Sequence, residues 1–320
     1  MARIGSTELD VSRLCLGGNV FGWTADEATS FALLDAYADA GGNMIDSADV
    51  YMAGAEGNSG GESEEVLGRW MASRGNRDQM VIATKVGQLP GREGLSPETV
   101  AAAAEDSLRR LQTDYIDLYY AHVDDSSVPQ QDSLAAFDAL VRAGKVRHVA
   151  ASNFATDRLT SALKISHEHD LARFVAVQPH YNLVEREYER DQAPTVEHHN
   201  LSCFPYFGLA KGFLTGKYRP DAAHVDTGAE QGAMGWARAK GARSYLAEDR
   251  GPRVLKVLDE LAAAHSVSVS AVALAWLADQ PSVTAPIASA RTLDQLGEIL
   301  PAAEVTLSQD ELEALDSASR

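Results

Sequence analysis

Four side chains with complementary proton chemistry stand out in this 320-residue sequence: the carboxylate of Asp46, the phenol of Tyr51, the amine of Lys85 and the imidazole of His122. Together they suit donation of a proton to a carbonyl oxygen. A free phenol, with a pKa of ~10, is a poor acid near neutral pH, but a neighbouring ammonium stabilises the phenolate and makes the proton easier to give. Lys85 can supply that charge, Asp46 can keep the ammonium ionised and aimed, and a neutral His122 can donate to the same substrate oxygen and orient it. None of the four is a strong nucleophile or part of a metal set, so the redox or bond-making agent must come from elsewhere. Taken singly, each has a plainer explanation as a turn acid, a solvated lysine or a core histidine satisfied by backbone. Their combination carries meaning only if the chain brings them to one place.

The segment MIDSADVY, Met44 to Tyr51, poses that positioning problem. In a continuous strand, residues an odd number of positions apart face opposite sides, so Asp46 and Tyr51 converge only if the strand stops near Asp46 and the chain turns. The turn through Ser47 to Val50 would bring Tyr51 over Lys85 and leave Asp49 as a solvated turn residue. Short apolar runs of this kind alternate with longer amphipathic, alanine-rich segments along the chain, which is the βα pattern. Eight strand-like runs end near Leu16, Asp46, Lys85, His122, Ser152, Gln178, Tyr206 and Ile287, at near-regular spacing except for one long interval before the last. Eight βα units close into a (β/α)8 TIM barrel, whose strands all end on one face, so Asp46, Lys85 and His122 become neighbours there. A doubly wound sheet is the alternative for the same alternation.

Helix signals support the units. SPETVAAAAEDSLRRL opens with Ser96, Pro97 and Glu98 as N-cap, first-turn proline and early acid. PRVLKVLDELAAAHS and SVSAVALAWLADQ read as C-terminal helices with a break near Ser266, and MARIGST with ELDVSRL as an N-terminal β-hairpin before the barrel. With no low-complexity linker, residues 1–320 are expected to form a single domain. The formal charge of −18 and pI near 4.8 argue against nucleic acid or an anionic membrane as partner, while a local basic pocket for a small anion remains compatible. Cys15 and Cys203 fit reduced core thiols better than a disulfide framework. Neither a secretory apolar segment nor a membrane-length apolar run is present, so a cytoplasmic location is expected.

The ordered motifs LDVSRLCLGGNVFGW, NMIDSADVY, ESEEVLGRWM, VIATKVG, DYIDLYYAH, GKVRHVAASNF, VQPHYNL, LAKGFLTGKY and APIASARTLDQLGEIL make the chain resemble the aldo-keto reductases over essentially its whole length, in the branch of the potassium channel β subunits and their bacterial relatives. The resemblance implies an eight-stranded βα barrel that binds NADP(H) without a Rossmann fold, and a catalytic tetrad at Asp46, Tyr51, Lys85 and His122. It names the missing agent as a hydride from C4 of the nicotinamide. It also implies that Gly18, Asn19 and Asp46 border the cofactor, that Ser152, Asn153 and Gln178 hold the carboxamide, and that Tyr206 stacks on the nicotinamide. Leu209, Lys211 and Gly212 would lie near the pyrophosphate, Ser289, Arg291 and Gln295 at the adenosine 2′-phosphate, and Glu298 toward the adenine. A planar guanidinium suits phosphate, so Arg291 favours NADPH over NADH. Three positions depart from the family pattern: Ile299 replaces a common asparagine, Ser289 a common glycine, and VDD after His122 an aromatic or basic residue and proline.

The substrate mouth is expected around Phe21, Trp23, Met52, Val123, Asp124 and Asp125, with residues 219–250 as a lid. Apolar rings with two carboxylates fit a polyol or sugar carbonyl, stacked on Trp23 with an aspartate accepting hydroxyl hydrogens. The expected function is thus NADPH-dependent reduction of a small-molecule aldehyde or ketone. The alternatives are a cofactor-bound regulatory or interaction subunit, as the potassium channel β subunits of this superfamily illustrate, and a metal-dependent barrel hydrolase. The hydrolase needs several His and Asp ligands at strand ends, where His122 is the only histidine, and the pairs His198–His199 and His167/His169 lack further ligands, so no metal is expected.

Overall fold

The computed structural model describes residues 1–219 and 239–320; most of the expected lid, at 220–238, lies outside the described residues. A short antiparallel hairpin, β1 (Ala2–Arg3) and β2 (Asp10–Val11), precedes eight parallel strands. These are β3 (Cys15–Gly17), β4 (Met44–Asp46), β5 (Val81–Val86), β6 (Ile116–Ala121), β7 (Val146–Ser152), β8 (Phe174–Gln178), β9 (Ser202–Cys203) and β10 (Ile287–Ala288). They pair in the order β10-β3-β4-β5-β6-β7-β8-β9. The two ends meet through backbone bonds from Thr284 N to Cys203 O at 2.8 Å and from Ile287 N to Pro205 O at 3.0 Å, which gives the (β/α)8 barrel.

Side-chain alternation builds two cores. Outward residues such as Tyr119 and Val149 pack under the helices, whereas Met44, Ala83, Leu118, Tyr120, Ala150 and Ala176 fill the barrel interior with Ile4, Leu9 and Val11 of the hairpin. The hairpin therefore plugs the end opposite the C-terminal strand ends, and Gly5 N donating to Ser202 Oγ at 2.8 Å ties it there. Burial on both faces explains why the strands read as unbroken apolar runs.

Helices α1 (Glu27–Asp39), α2 (Glu62–Arg74), α3 (Pro97–Leu111), α4 (Gln130–Arg142) and α5 (Thr156–Glu168) follow successive strands, and the short α6 (Glu187–Asp191) and α7 (Ala193–His198) follow β8. Ser96 Oγ accepts from Thr99 N at the start of α3, and Asp26 caps α1 by accepting from Thr29 N. At the C-terminal side, α8 (Arg250–His265) and α9 (Val269–Ala278) meet at 98°, with Ser266 in the left-handed conformation at φ 56°. α10 (Leu293–Ile299) and α11 (Gln309–Ser319) complete the described chain. Among the described residues no single helix is long and apolar enough to cross a membrane, and α9 is buried within the fold. Cys15 and Cys203 are buried free thiols.

Candidate active site

The four proton-handling residues meet at the C-terminal face of the barrel. β4 stops at Asp46, and a turn, with Tyr51 N bonded to Ala48 O, brings the phenol back over β5. Lys85 Nζ is wholly buried and donates to Asp46 Oδ2 at 2.6 Å, Ser47 O at 2.7 Å and Tyr51 OH at 2.8 Å. These three acceptors satisfy all three ammonium donors, which is what a charge so deeply buried requires. Tyr51 OH donates in turn to Asp46 Oδ2 at 3.0 Å, and Gln178 Nε2 holds Asp46 Oδ1 at 2.8 Å. The ammonium also lies 4.6 Å from the centre of the Tyr51 ring.

His122 follows β6, its backbone N bonded to Val86 O, and its ring meets Tyr51 edge-on at 6.3 Å. Burial, with Lys85 adding to it, pushes the imidazole down to about 3, so it is neutral near pH 7. Its Nδ1 is enclosed without a partner. A proton there would be a buried donor with nothing to bond, so the hydrogen-bond pattern assigns the ring proton to Nε2.

Tyr51 and His122 open on a cavity of about 920 Å³. Ser152, Asn153, Gln178 and Tyr206 line it from β7, β8 and the segment after β9. Asn153, left-handed at φ 56°, donates to His122 O at 2.9 Å and accepts from Tyr206 OH at 2.9 Å, while Ser152 Oγ donates to Gln178 O. Further along lie Leu209, Lys211 and Gly212, then Asn19, Ser289, Arg291, Gln295 and Glu298. Ser289 Oγ bonds Asn19 Oδ1 at 2.5 Å, and Gln295 Oε1 accepts from Arg291 N at 3.0 Å. Ile299 also faces the cavity.

Several expectations change. Gly18 lies behind the wall, its amide bonded to Asp46 O, and the neighbouring Gly17 lines the cavity instead. Phe21 is buried in the outer core, and of the expected substrate residues only Trp23 and Met52 face the cavity. Val123 does not reach it. Arg158 grips Asp124 at 2.7 and 2.9 Å, and Asp125 accepts from Leu95 N and Ser127, so neither aspartate is offered to a ligand in the cavity. Asp49 is fully buried rather than solvated, with both carboxylate oxygens unbonded. Lys217 and Ser270, not among the expected site residues, also line the cavity. Lys217 lies within the GFLTGKY run, which is the sequence signal for it; Ser270 comes from the first turn of α9 and carries no such signal. Among the described residues no cluster of three or more His, Cys, Asp or Glu can hold a metal ion.

The cavity suits a nicotinamide dinucleotide by its donor set. At one end are the amide and hydroxyl groups of Ser152, Asn153 and Gln178 beside an aromatic ring, and at the other Lys211, Lys217 and Arg291 offer cations to phosphate. A Cβ at Gly17 would run into Ser289 Oγ and lie 3.1 Å from Ile287 Cγ2, so a larger residue there would have to displace the Ser289 hydroxyl.

Comparison with known proteins identifies the family. The profile of the Aldo/keto reductase family matches residues 13–320. The uncharacterized oxidoreductase YrpG of Bacillus subtilis is 34% identical, over 98% of this chain and 94% of that protein. Protein tas of Escherichia coli is 31% identical, over 98% of this chain and 96% of its own length. Norsolorinic acid reductase B of Aspergillus parasiticus is 32% identical, over 98% of this chain and 82% of that protein.

Proposed function

The chain belongs to the aldo/keto reductase family of oxidoreductases, and from that premise we propose that it reduces an aldehyde or ketone to the alcohol with NADPH, Tyr51 giving the proton. The observation that carries this reading is the Tyr51 hydroxyl, held between Lys85 Nζ and Asp46 Oδ2 at the floor of a cavity lined with nicotinamide-type donors. When bound, NADPH supplies the hydride from C4 of its nicotinamide. Ser152, Asn153 and Gln178 would hold the carboxamide, Tyr206 the ring face, Lys211 and Lys217 the pyrophosphate, and Arg291 with Ser289 and Gln295 the 2′-phosphate.

The remaining work belongs to the side chains. The substrate oxygen binds against Tyr51 OH and His122 Nε2–H, so two donors face the atom on which negative charge develops. As that charge grows, Tyr51 gives up its proton, and the phenolate left behind is stabilised by the Lys85 ammonium at 2.8 Å. Asp46 keeps the ammonium in place, with Gln178 fixing the second carboxylate oxygen. Neutral His122 donates without placing a second full charge beside Lys85.

The lining favours a less polar substrate than the polyol expected from the sequence. With Asp124 and Asp125 engaged elsewhere, the walls beside Tyr51 are Val20, Trp23, Val50 and Met52, so the carbonyl belongs on an apolar skeleton large enough to meet the indole. The name of the Aspergillus relative, a reductase, supports reduction as the direction. The decisive experiment is Tyr51→Phe. Carbonyl reduction should fall by roughly 10²–10⁴-fold, while NADPH binding, followed by fluorescence, stays near wild type. Normal turnover in that variant would overturn the mechanism.

A further inference from the structure

Tyr206 lines the cavity, and one face of its ring is covered by another ring. The imidazole of His180 lies parallel to the phenol ring, with centroids 5.4 Å apart and an interplanar angle of 12°. His180 does not itself line the cavity. Offset stacking at this separation is an attractive geometry for two π-systems.

The surroundings hold both rings in register. Tyr206 N bonds Pro179 O at 2.9 Å, an isolated parallel bridge joins His180 to Tyr206, and Tyr206 OH is pinned by Asn153 Oδ1. Phe207 meets both rings edge-on, at 5.2 Å from Tyr206 and 5.5 Å from His180. His180 Nε2 is buried without a partner. What the ring does offer is a flat face against Tyr206.

Its charge state is consistent with that use. Burial lowers the imidazole pKa and Lys211 adds to the effect, while Glu185 and Glu187 oppose it. The neutral ring therefore stacks on Tyr206 without adding a positive charge behind the platform, where the oxidised nicotinamide would bring one of its own.

We propose that His180 is a positioning residue for the cofactor: by stacking on the covered face of Tyr206 it fixes that ring as a flat platform, so that a bound nicotinamide becomes the third layer of the stack. This inference rests on the cofactor reading given above.

The test compares His180→Phe, which keeps a stacking face, with His180→Leu, which fills the space without one. NADPH binding is measured by titrating the cofactor's fluorescence in the absence of any carbonyl substrate. The Leu variant should bind NADPH roughly 3- to 10-fold more weakly, and the Phe variant within about 2-fold of wild type. In steady-state assays the loss should fall on the KM for NADPH rather than on kcat. In a Tyr206→Leu background, His180→Leu should cost nothing further, which separates the stack from a general loss of packing. Wild-type binding in His180→Leu, or an equal loss in both single variants, would overturn the platform role alone. Absence of any NADPH signal from the wild-type protein would instead remove the cofactor reading and the stack with it.

Discussion

Asp46 and Asp49 are three positions apart in one turn, yet their environments are opposite. Asp46 accepts from Lys85, Tyr51 and Gln178, whereas both oxygens of Asp49 are buried without a partner. Burial, reinforced by the nearby Glu64 carboxylate, raises the Asp49 pKa to about 7, against the smaller opposing pull of Arg110 and Lys85. A folded-state value above the unfolded one means that the native protein binds more protons between about pH 4 and 7, so this group's effect on stability worsens as pH rises through that window and is constant above it. Three pKa units correspond to an upper bound of about 4 kcal/mol. Asp49→Asn should therefore gain stability relative to wild type at pH 8 and lose much of that advantage at pH 5. Melting curves of both proteins across that range check it, and parallel pH slopes would rule it out. The sequence made Asp46 legible because its partners are also strand-end residues. Asp49 is buried rather than solvated because helices α2 and α3, which carry Glu64 and Arg110, dock over the turn, and no local pattern reveals that docking.

Those helices are held together by a missing side chain. Glu64 on α2 accepts from Thr84 Oγ1 at 2.5 Å and from Arg110 Nε at 2.7 Å, tying α2 to both β5 and α3. One turn on, Gly68 lets α3 approach so closely that a Cβ would run into the Arg110 carbonyl oxygen and lie 2.8 Å from the Leu111 carbonyl carbon. Helix propensity alone favours alanine over glycine by about 1 kcal/mol. The packing predicts the opposite sign: Gly68→Ala should destabilise by about 1–3 kcal/mol through overpacking. Thermal denaturation decides, and a raised melting temperature would show that the close approach is unimportant. Elements with local signals were readable in advance, as the caps at Ser96 and the break at Ser266 illustrate. The seventh barrel strand is shorter than the mostly apolar run LSCFPY suggests. It ends at Cys203: Phe204 N still bonds Val177 O, but Pro205 has no N–H for the ladder, and the chain pairs again only as an isolated bridge between Tyr206 and His180, beyond the end of β8.

Across the whole molecule, a formal charge of −18 opposes any anionic ligand, yet Lys211, Lys217 and Arg291 all line the same cavity. That Lys211, Arg291, Ser289 and Gln295 share one cavity was legible in the sequence because they arrive in compact motifs at strand ends. The lining expected for the substrate mouth was not, because it depends on which loop side chains are captured by distant partners, as Arg158 captures Asp124. In this setting Arg291 should decide which cofactor is chosen. Among the described residues no carboxylate pairs with its guanidinium, so the charge remains available to a phosphate in the cavity. A charge-assisted hydrogen bond contributes about 1.5–3 kcal/mol, which corresponds to roughly 10- to 100-fold in affinity. Arg291→Ala should weaken NADPH binding by that factor and leave NADH nearly unchanged, because only NADPH carries the 2′-phosphate. Added salt should weaken NADPH binding more in the wild-type protein than in the variant, since the lost interaction is the one most open to screening. An unchanged preference for NADPH in Arg291→Ala would mean that the phosphate is recognised elsewhere and that the cations in this cavity only offset the charge of the rest of the protein.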